Sequence, residues 1–488
     1  MKKLEEILNI DENTFFKKAF LFSLFFHILA VIFSEGWHRP DEHLGIFRLM
    51  SFKLGEFPIH ELSWEHGAQI RPWLQPYAFF LVAKTFRFIG IESPFILATF
   101  LRLICSTLAL YSLFHFTKYA TSFVKEKINK NILVFFMMTM WYLPFFHART
   151  TAENLSITFF IFGLLQLRDF TKFESKQSIL SGFFFGLSYI LRFQTGVMVF
   201  FALVWPLVTK KIKISKFILS CVFIAITIAL SSGIDYIGYG EWTFTSWNYL
   251  KANIFDGVAA QFGVSPWYYY ITKSIAKGIP PYSLIFIIPF FWAWFKRPKH
   301  YLTWITLPYF LIHSAIGHKE LRFVFALGVF APVFLAMFLE ENDFSLFKSK
   351  AIKVLLSLAL VANFGGLIIS STKPAYTPIN FYKHIYKKEL GIKKLYTLSY
   401  IRDEMKFYQR KPFKQFYIKE NKEAFISELK TINETRWVFT SSFKYILELL
   451  KNDRCQLEYA SYPRFVLNEK YFKYLKRSKI WTLYKCGN

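Results

Sequence analysis

The sequence predicts an all-α polytopic membrane protein with a small soluble α/β domain at its C-terminal end. Three observations predict it. Of 488 residues, 54% are hydrophobic and 21% aromatic, 61 of them Phe, and only 19% are charged. Soluble proteins usually carry about 25% charged residues. The apolar residues gather into stretches suited to membrane helices, separated by basic loops. The composition then changes near residue 371, because residues 372–488 hold 25 Lys and Arg against 11 Asp and Glu. The expected domains are therefore a transmembrane domain, 1–371, and a soluble domain, 372–488. High hydrophobicity excludes a disordered chain, and four Cys exclude a disulfide scaffold.

About 11 spans are expected, near 18–34, 95–117, 131–147, 153–168, 178–191, 196–208, 216–233, 281–296, 301–316, 321–339 and 352–371. The first follows Lys17 and Lys18, has no small-residue cleavage site, and reads as a retained helix. Lys118, Lys125, Lys127 and Lys130 mark one cytoplasmic loop, Lys210, Lys211, Lys213 and Lys216 a second, and Lys296, Arg297 and Lys299 a third. This places the N-terminus in the cytoplasm and the C-terminal domain outside. One crossing, 95–117, then separates the outer segment 35–94 from Lys118. The apolar stretch 73–91 is expected as a helix at the outer interface. Counting it as a twelfth span would strand basic loops outside. Cys105 and Cys221, both in apolar spans, are expected to be buried and inert.

With this topology the unusual polar residues collect on the outer face. Charges near membrane depth are expensive and usually have a task. Asp41 and Glu42 follow Pro40, which suits a first helical turn. Leu44, Phe47, Met50 and Leu54 then recur at helical spacing. Both carboxylates sit at the positive end of that helix, where ionisation is favoured. Two readings stay open from the residues alone: Asp41 is a general base, or it caps the helix. His318, Lys319 and Arg322 begin an apolar helix and offer donors suited to phosphate. Arg149 and Glu153 could form a plain helix pair, and Arg192 could snorkel. The aromatics of SPWYYY, Trp267 among them, suit an interface belt or the face of a sugar.

Absences narrow the chemistry. There is no D-x-D pair, no G-x-x-x-x-G-K-[ST] loop and no H-E-x-x-H stretch. No obvious internal repeat supports a transporter. In the tail, 437–442, 455–460 and 479–486 read as strands and 443–452 as a helix. Cys455 and Cys486 lie outside in this topology and are expected to pair. The tail's excess of positive charge reads as a basic surface, with anionic headgroups or a charged acceptor as the other possibility.

Five stretches in order resemble glycosyltransferase family 22, the polyprenyl-phosphate-mannose-dependent mannosyltransferases of the GT-C fold. That family includes the late mannosyltransferases of N-glycan precursor and GPI-anchor assembly, with bacterial relatives. The stretches are His38-Arg39-Pro40-Asp41-Glu42; Ser63-Trp64-Glu65 followed by Arg71 and Pro76; Asp235, Tyr239, Gly240 and Trp242; Phe262 to Tyr270; and His318-Lys319-Glu320-Leu321-Arg322-Phe323. The resemblance covers about residues 15–340. The resemblance implies a GT-C type membrane glycosyltransferase that transfers mannose from a polyprenyl-phosphate sugar donor. The acceptor is a lipid-linked glycan or glycolipid, and the chemistry is inverting, without a metal or other cofactor. It implies Asp41 as the base and Glu42 as its partner. His318, Lys319, Arg322, Arg149, Arg192, Trp64, Glu65, Arg71, Asp235, Tyr239 and Trp267 become donor-phosphate or substrate-binding candidates. Membrane lipids are expected partners and nucleic acid is not. A bacterial inner membrane is preferred over the endoplasmic reticulum. The competing reading is a transporter or flippase of lipid-linked sugars.

Overall fold

The computed structural model describes residues 6–342, 349–401, 403–409, 413–475, 478 and 480–487. The chain divides into two compact units: Met1–Ser34, Leu44–Thr85 and Thr99–Lys373 form unit one, and Glu35–His43, Phe86–Ala98 and Pro374–Asn488 form unit two.

Unit one is helical. Its longer helices are α1 (Glu12–Phe33), α2 (Leu74–Phe88), α3 (Pro94–Ala120), α4 (Lys127–Thr139), α5 (Ala152–Gln166), α6 (Ser175–Leu191), α7 (Gly196–Val208), α8 (Ile214–Tyr239), α9 (Tyr282–Lys296), α10 (Tyr301–Ala315), α11 (Ala331–Glu341) and α12 (Lys350–Thr372). Every apolar stretch read from the sequence is largely helical, and the 73–91 stretch contains helix α2. The count of eleven crossings is not reached by length and apolarity. Among the described residues, four helical segments, α1, Pro94–Phe123, α8 and α12, are long and apolar enough to cross a membrane. A fifth is the pair Leu321–Gly328 and α11, bent by 51°. The other apolar helices are short of the ~20 residues a straight span needs. The stretch 131–147 is also broken, since α4 stops at Met140 and a separate turn, Leu143–His147, follows.

Exposed apolar residues repeat every three or four positions along α1 (Leu21, Phe25, Ile28, Ile32) and α8 (Ile218, Val222, Ile226, Leu230). Such stripes suit lipid and not water. Cys105 is buried as expected, but Cys221 is exposed, because it lies beside Val222 on the α8 stripe. Small residues allow close helix approach elsewhere. A Cβ at Gly186 of α6 would lie 2.7 Å from Thr227 of α8. Rings fill the interior, with Phe136, Phe160, Phe330 and Phe334 buried.

Unit two is built on a five-stranded sheet, order β2-β1-β3-β5-β4, formed by β1 (Lys394–Thr397), β2 (Lys414–Tyr417), β3 (Arg436–Thr440), β4 (Cys455–Ala460) and β5 (Thr482–Cys486). β1 pairs in parallel with β2 and β3, while β5 runs antiparallel to β3 and β4. The helix Phe443–Leu450 turns Ile446 and Leu449 inward, as its spacing predicts. Cys455 and Cys486 face each other across β4 and β5 and form the expected disulfide.

Candidate active site

The HKELRF stretch closes the chain between α10 and the Leu321–Val324 turn. His318 Nδ1 bonds the Gly263 carbonyl at 2.9 Å. Lys319 Nζ donates to Ser265 O at 2.9 Å and to Ile316 O. The Ser265 N–H in turn donates to Gly317 O at 2.9 Å. Two sequence motifs more than fifty residues apart are thus zipped together. Lys319 is buried, and desolvation holds its ammonium below the usual lysine range.

Charges from three segments meet beside this turn. Glu153, near the start of α5, lies 3.4 Å from Arg192 at the end of α6 and 3.5 Å from Arg322. Arg322 also bonds Glu320 at 2.9 Å, and Glu320 lies 3.6 Å from His318. Arg192 and Arg322 both sit over the Phe323 ring, at 4.9 and 5.5 Å. Arg192 Nη2 is buried with no hydrogen-bond partner among the described residues. The arrangement holds guanidinium groups in a dry place and leaves donor capacity there, which suits an anionic ligand.

Arg149 is 1% exposed and donates to Ser34 Oγ at 2.6 Å and to Ser34 O. Glu153 pairs with Arg192 and Arg322. Asn154, buried in the first turn of α5, holds the preceding bend by donating 2.8 Å bonds to His147 O and Arg149 O.

The Asp235, Tyr239 and Gly240 stretch ends α8. Gly240 takes the left-handed conformation, φ 83°, and its N–H returns to Tyr236 O. Asp235 is buried and accepts the Trp73 N–H at 2.6 Å and the Thr245 hydroxyl at 3.2 Å. Tyr239 donates to Arg71 O at 2.7 Å. Arg71 binds Glu65 through two bonds, 2.9 and 2.6 Å. These four residues therefore fasten the segment before α2 to α8. Trp64 stacks on Phe262 at 6.3 Å, and Phe262 meets His318 edge-on at 6.2 Å, so Phe262 lies between Trp64 and the HKELRF turn. Trp267 is exposed.

Asp41 and Glu42 belong to unit two. Both open a helical stretch that continues through the turn His43–Phe47. Asp41 is half-buried, whereas Glu42 is 2% exposed and accepts the His38 N–H at 3.1 Å. Their loop is held by C-terminal residues of the same unit. Trp37 stacks on Tyr376 at 4.1 Å, Glu35 pairs with Lys383 at 2.8 Å, and His43 Nδ1 bonds Glu404 O at 3.1 Å.

The structure thus brings His318, Lys319, Arg322, Arg192 and Trp64 together, and ties Glu65, Arg71, Asp235 and Tyr239 into a second group. Arg149 is anchored separately on Ser34. Sequence reasoning missed Glu153 as the shared partner of two arginines. Its signal was a carboxylate beside an apolar span. It also missed Glu35, Tyr376, Lys383 and Glu404, the residues that hold the Asp41 loop.

The mostly helical chain with a small C-terminal sheet has the fold of GT-C membrane glycosyltransferases. The fold is similar to the crystal structure of ArnT from Cupriavidus metallidurans in the apo state, with a TM-score of 0.53 at 10% identity over 97% of this chain and 98% of that one. The same enzyme bound to undecaprenyl phosphate gives a TM-score of 0.52 at 10% identity, over 95% of this chain and 97% of that one. Residues 18–394 match the Alg9-like mannosyltransferase family, and the chain belongs to that family. Among relatives, mannosyltransferase APTG1 of Arabidopsis thaliana is 24% identical over 65% of this chain and 58% of its own length. GPI alpha-1,2-mannosyltransferase 3 of Bos taurus is 27% identical over 67% of this chain and 60% of its own length. The chain therefore spans about 60% of the length of these relatives.

Proposed function

We infer that the chain transfers mannose from a polyprenyl-phosphate-linked donor to a lipid-linked glycan or glycolipid acceptor. The reaction runs at the extracytoplasmic face, with inversion and without a metal ion. The observation that carries the reading is the family match across residues 18–394. The ArnT relative in fold holds undecaprenyl phosphate, which supports an isoprenoid phosphate as the lipid carrier here.

In this reading the acceptor hydroxyl oxygen bonds the anomeric carbon of mannose. Its proton passes to the Asp41 carboxylate. The bond from the anomeric carbon to the phosphate oxygen breaks, and its electron pair stays on the lipid phosphate. The hydroxyl is a poor nucleophile and needs a base within hydrogen-bond reach. Asp41 is the more accessible of the two carboxylates, while Glu42 is buried against a backbone amide and orients the loop. The transition state is oxocarbenium-like. The leaving phosphate is already acidic, so it needs cations and no proton. Arg322, Arg192 and Lys319 supply them, with His318 and Arg149 in support.

The test is transfer of label from polyprenyl-phosphate-mannose to membrane lipid extracts, followed by identification of the product. Asp41→Asn and Asp41→Ala should lower kcat by about 100- to 10,000-fold, the usual worth of a general base. Near-normal turnover in either variant removes Asp41 from that role. Lys319→Ala should raise the donor KM or lower kcat, and an unaffected enzyme removes it from the phosphate site.

A further inference from the structure

At the end of unit one that carries the Lys-rich loops, a cavity of about 540 Å³ opens between the start of α1, the end of α3 and the start of α4. Lys17, Lys118 and Lys130 line it, with the rings of Phe16, Phe20 and Phe114. Lys118 lies over the Phe114 and Phe16 rings, at 4.4 and 5.4 Å. Lys130 reaches Glu12 at 3.3 Å. Asn131 also lines the cavity and is 1% exposed. Its amide nitrogen donates to Leu8 O and Ile10 O, but its Oδ1 is buried without a partner among the described residues.

We propose that this cavity binds an anionic phospholipid by its headgroup phosphate. Three ammonium groups facing one carboxylate attract an anion. The aromatic wall offers nothing to a free phosphate, but it suits the glycerol and first methylenes of a lipid. The acyl chains have a path along the exposed apolar stripe of α1, through Leu21, Phe25 and Ile28. The volume fits a headgroup and not a whole lipid. The site is distinct from the candidate active site. α1 is 22 residues long, about 33 Å at the helical rise, and Ser34, which binds Arg149, follows its far end. Nothing in this inference depends on the reaction proposed above.

Full-length protein in a non-ionic detergent is titrated with dioleoylphosphatidylglycerol, dioleoylphosphatidylcholine and glycerol phosphate. Binding is read by native mass spectrometry and by the shift in Tm. Phosphatidylglycerol should bind at a single site and raise the Tm, and glycerol phosphate at the same concentration should not. The double variant Lys17→Gln, Lys118→Gln should weaken phosphatidylglycerol binding by roughly 30-fold, from about fivefold per lysine near an anionic headgroup. Lys210→Gln with Lys211→Gln removes the same charge from another exposed loop and should leave binding intact. Asn13→Trp keeps all three lysines, sits at an exposed lining position, and should block the cavity. The proposal is overturned by equal binding of the two lipids, by equal loss in the Lys210 and Lys211 variant, or by glycerol phosphate binding as tightly as lipid. Unchanged binding in both cavity variants also overturns it.

Discussion

Two carboxylates in this protein each sit between two basic side chains, in opposite surroundings. Glu153 of unit one lies between Arg192 and Arg322, and all three side chains are about 10% exposed. Glu458 of unit two lies between His384 and Lys388, at 3.0 and 2.9 Å, and Lys388 is 56% exposed. The two clusters look alike in a list of ion pairs, yet their energetics differ. Desolvation makes the first expensive to break, because losing one partner strands the others. Water screens the second, and its lysine must give up side-chain freedom to hold it. Burial, and not the count of pairs, separates a site from a surface.

The largest expected effect tests the buried cluster. Glu153→Ala leaves two guanidinium groups in a dry place and should cost about 3–5 kcal/mol of stability, read as a fall in Tm in detergent. A change within the error of the measurement would break the comparison.

An intermediate case lies in unit two, where Glu35 and Lys383 pair with side chains 12% and 35% exposed. Lys383→Ala should cost about 1–2 kcal/mol, as for a hydrogen bond to a charged group. Because this pair holds the Asp41 loop, kcat for mannose transfer should fall more than the donor KM changes. An effect as large as that of Glu153→Ala would show that burial is the wrong axis.

Glu458→Ala should cost no more than about 1 kcal/mol, since one of its cations is largely solvated. A related check uses pH. Burial pushes the Glu458 carboxyl up, but Lys388 and His384 outweigh it and hold the group below its ordinary value of 4.5. The folded carboxyl thus binds its proton more weakly than the unfolded one. Its stabilising contribution is present above pH 4.5 and is lost as pH falls below that value. Wild type should therefore lose its advantage over Glu458→Gln in acid, and a constant difference across pH would refute the assignment.

Much of this was legible in the sequence for physical reasons. Apolar runs must become helices in a bilayer, because a lipid environment leaves backbone groups no other partner. The HKELRF stretch and the Asp41–Glu42 pair stood out because charge beside apolar spans is costly. The Cys455–Cys486 bond followed from placing both residues in an oxidising compartment. The pairing of charges was less legible. Arg149 and Glu153 have helical spacing, but Arg149 precedes the helix and bends toward Ser34. Glu153 finds partners at positions 192 and 322, and no local pattern specifies contacts that distant. Strands β1 and β2 were missed because each has four residues among lysines, too few for alternation to register. The exposure of Cys221 was misjudged because hydropathy marks a span without saying which side meets lipid.

The buried amide of Asn154 has a practical consequence. Asn154, Leu155 and Ser156 form an acceptor tripeptide for N-linked glycans. Folding hides it, since the asparagine is spent on His147 O and Arg149 O and the serine hydroxyl donates to Ser188 O at 2.8 Å. An oligosaccharide attached before α5 docks would bar the bend that sets Arg149. Neither side chain can be mutated away cheaply, because His147 O, Arg149 O and Ser188 O would each lose a buried donor.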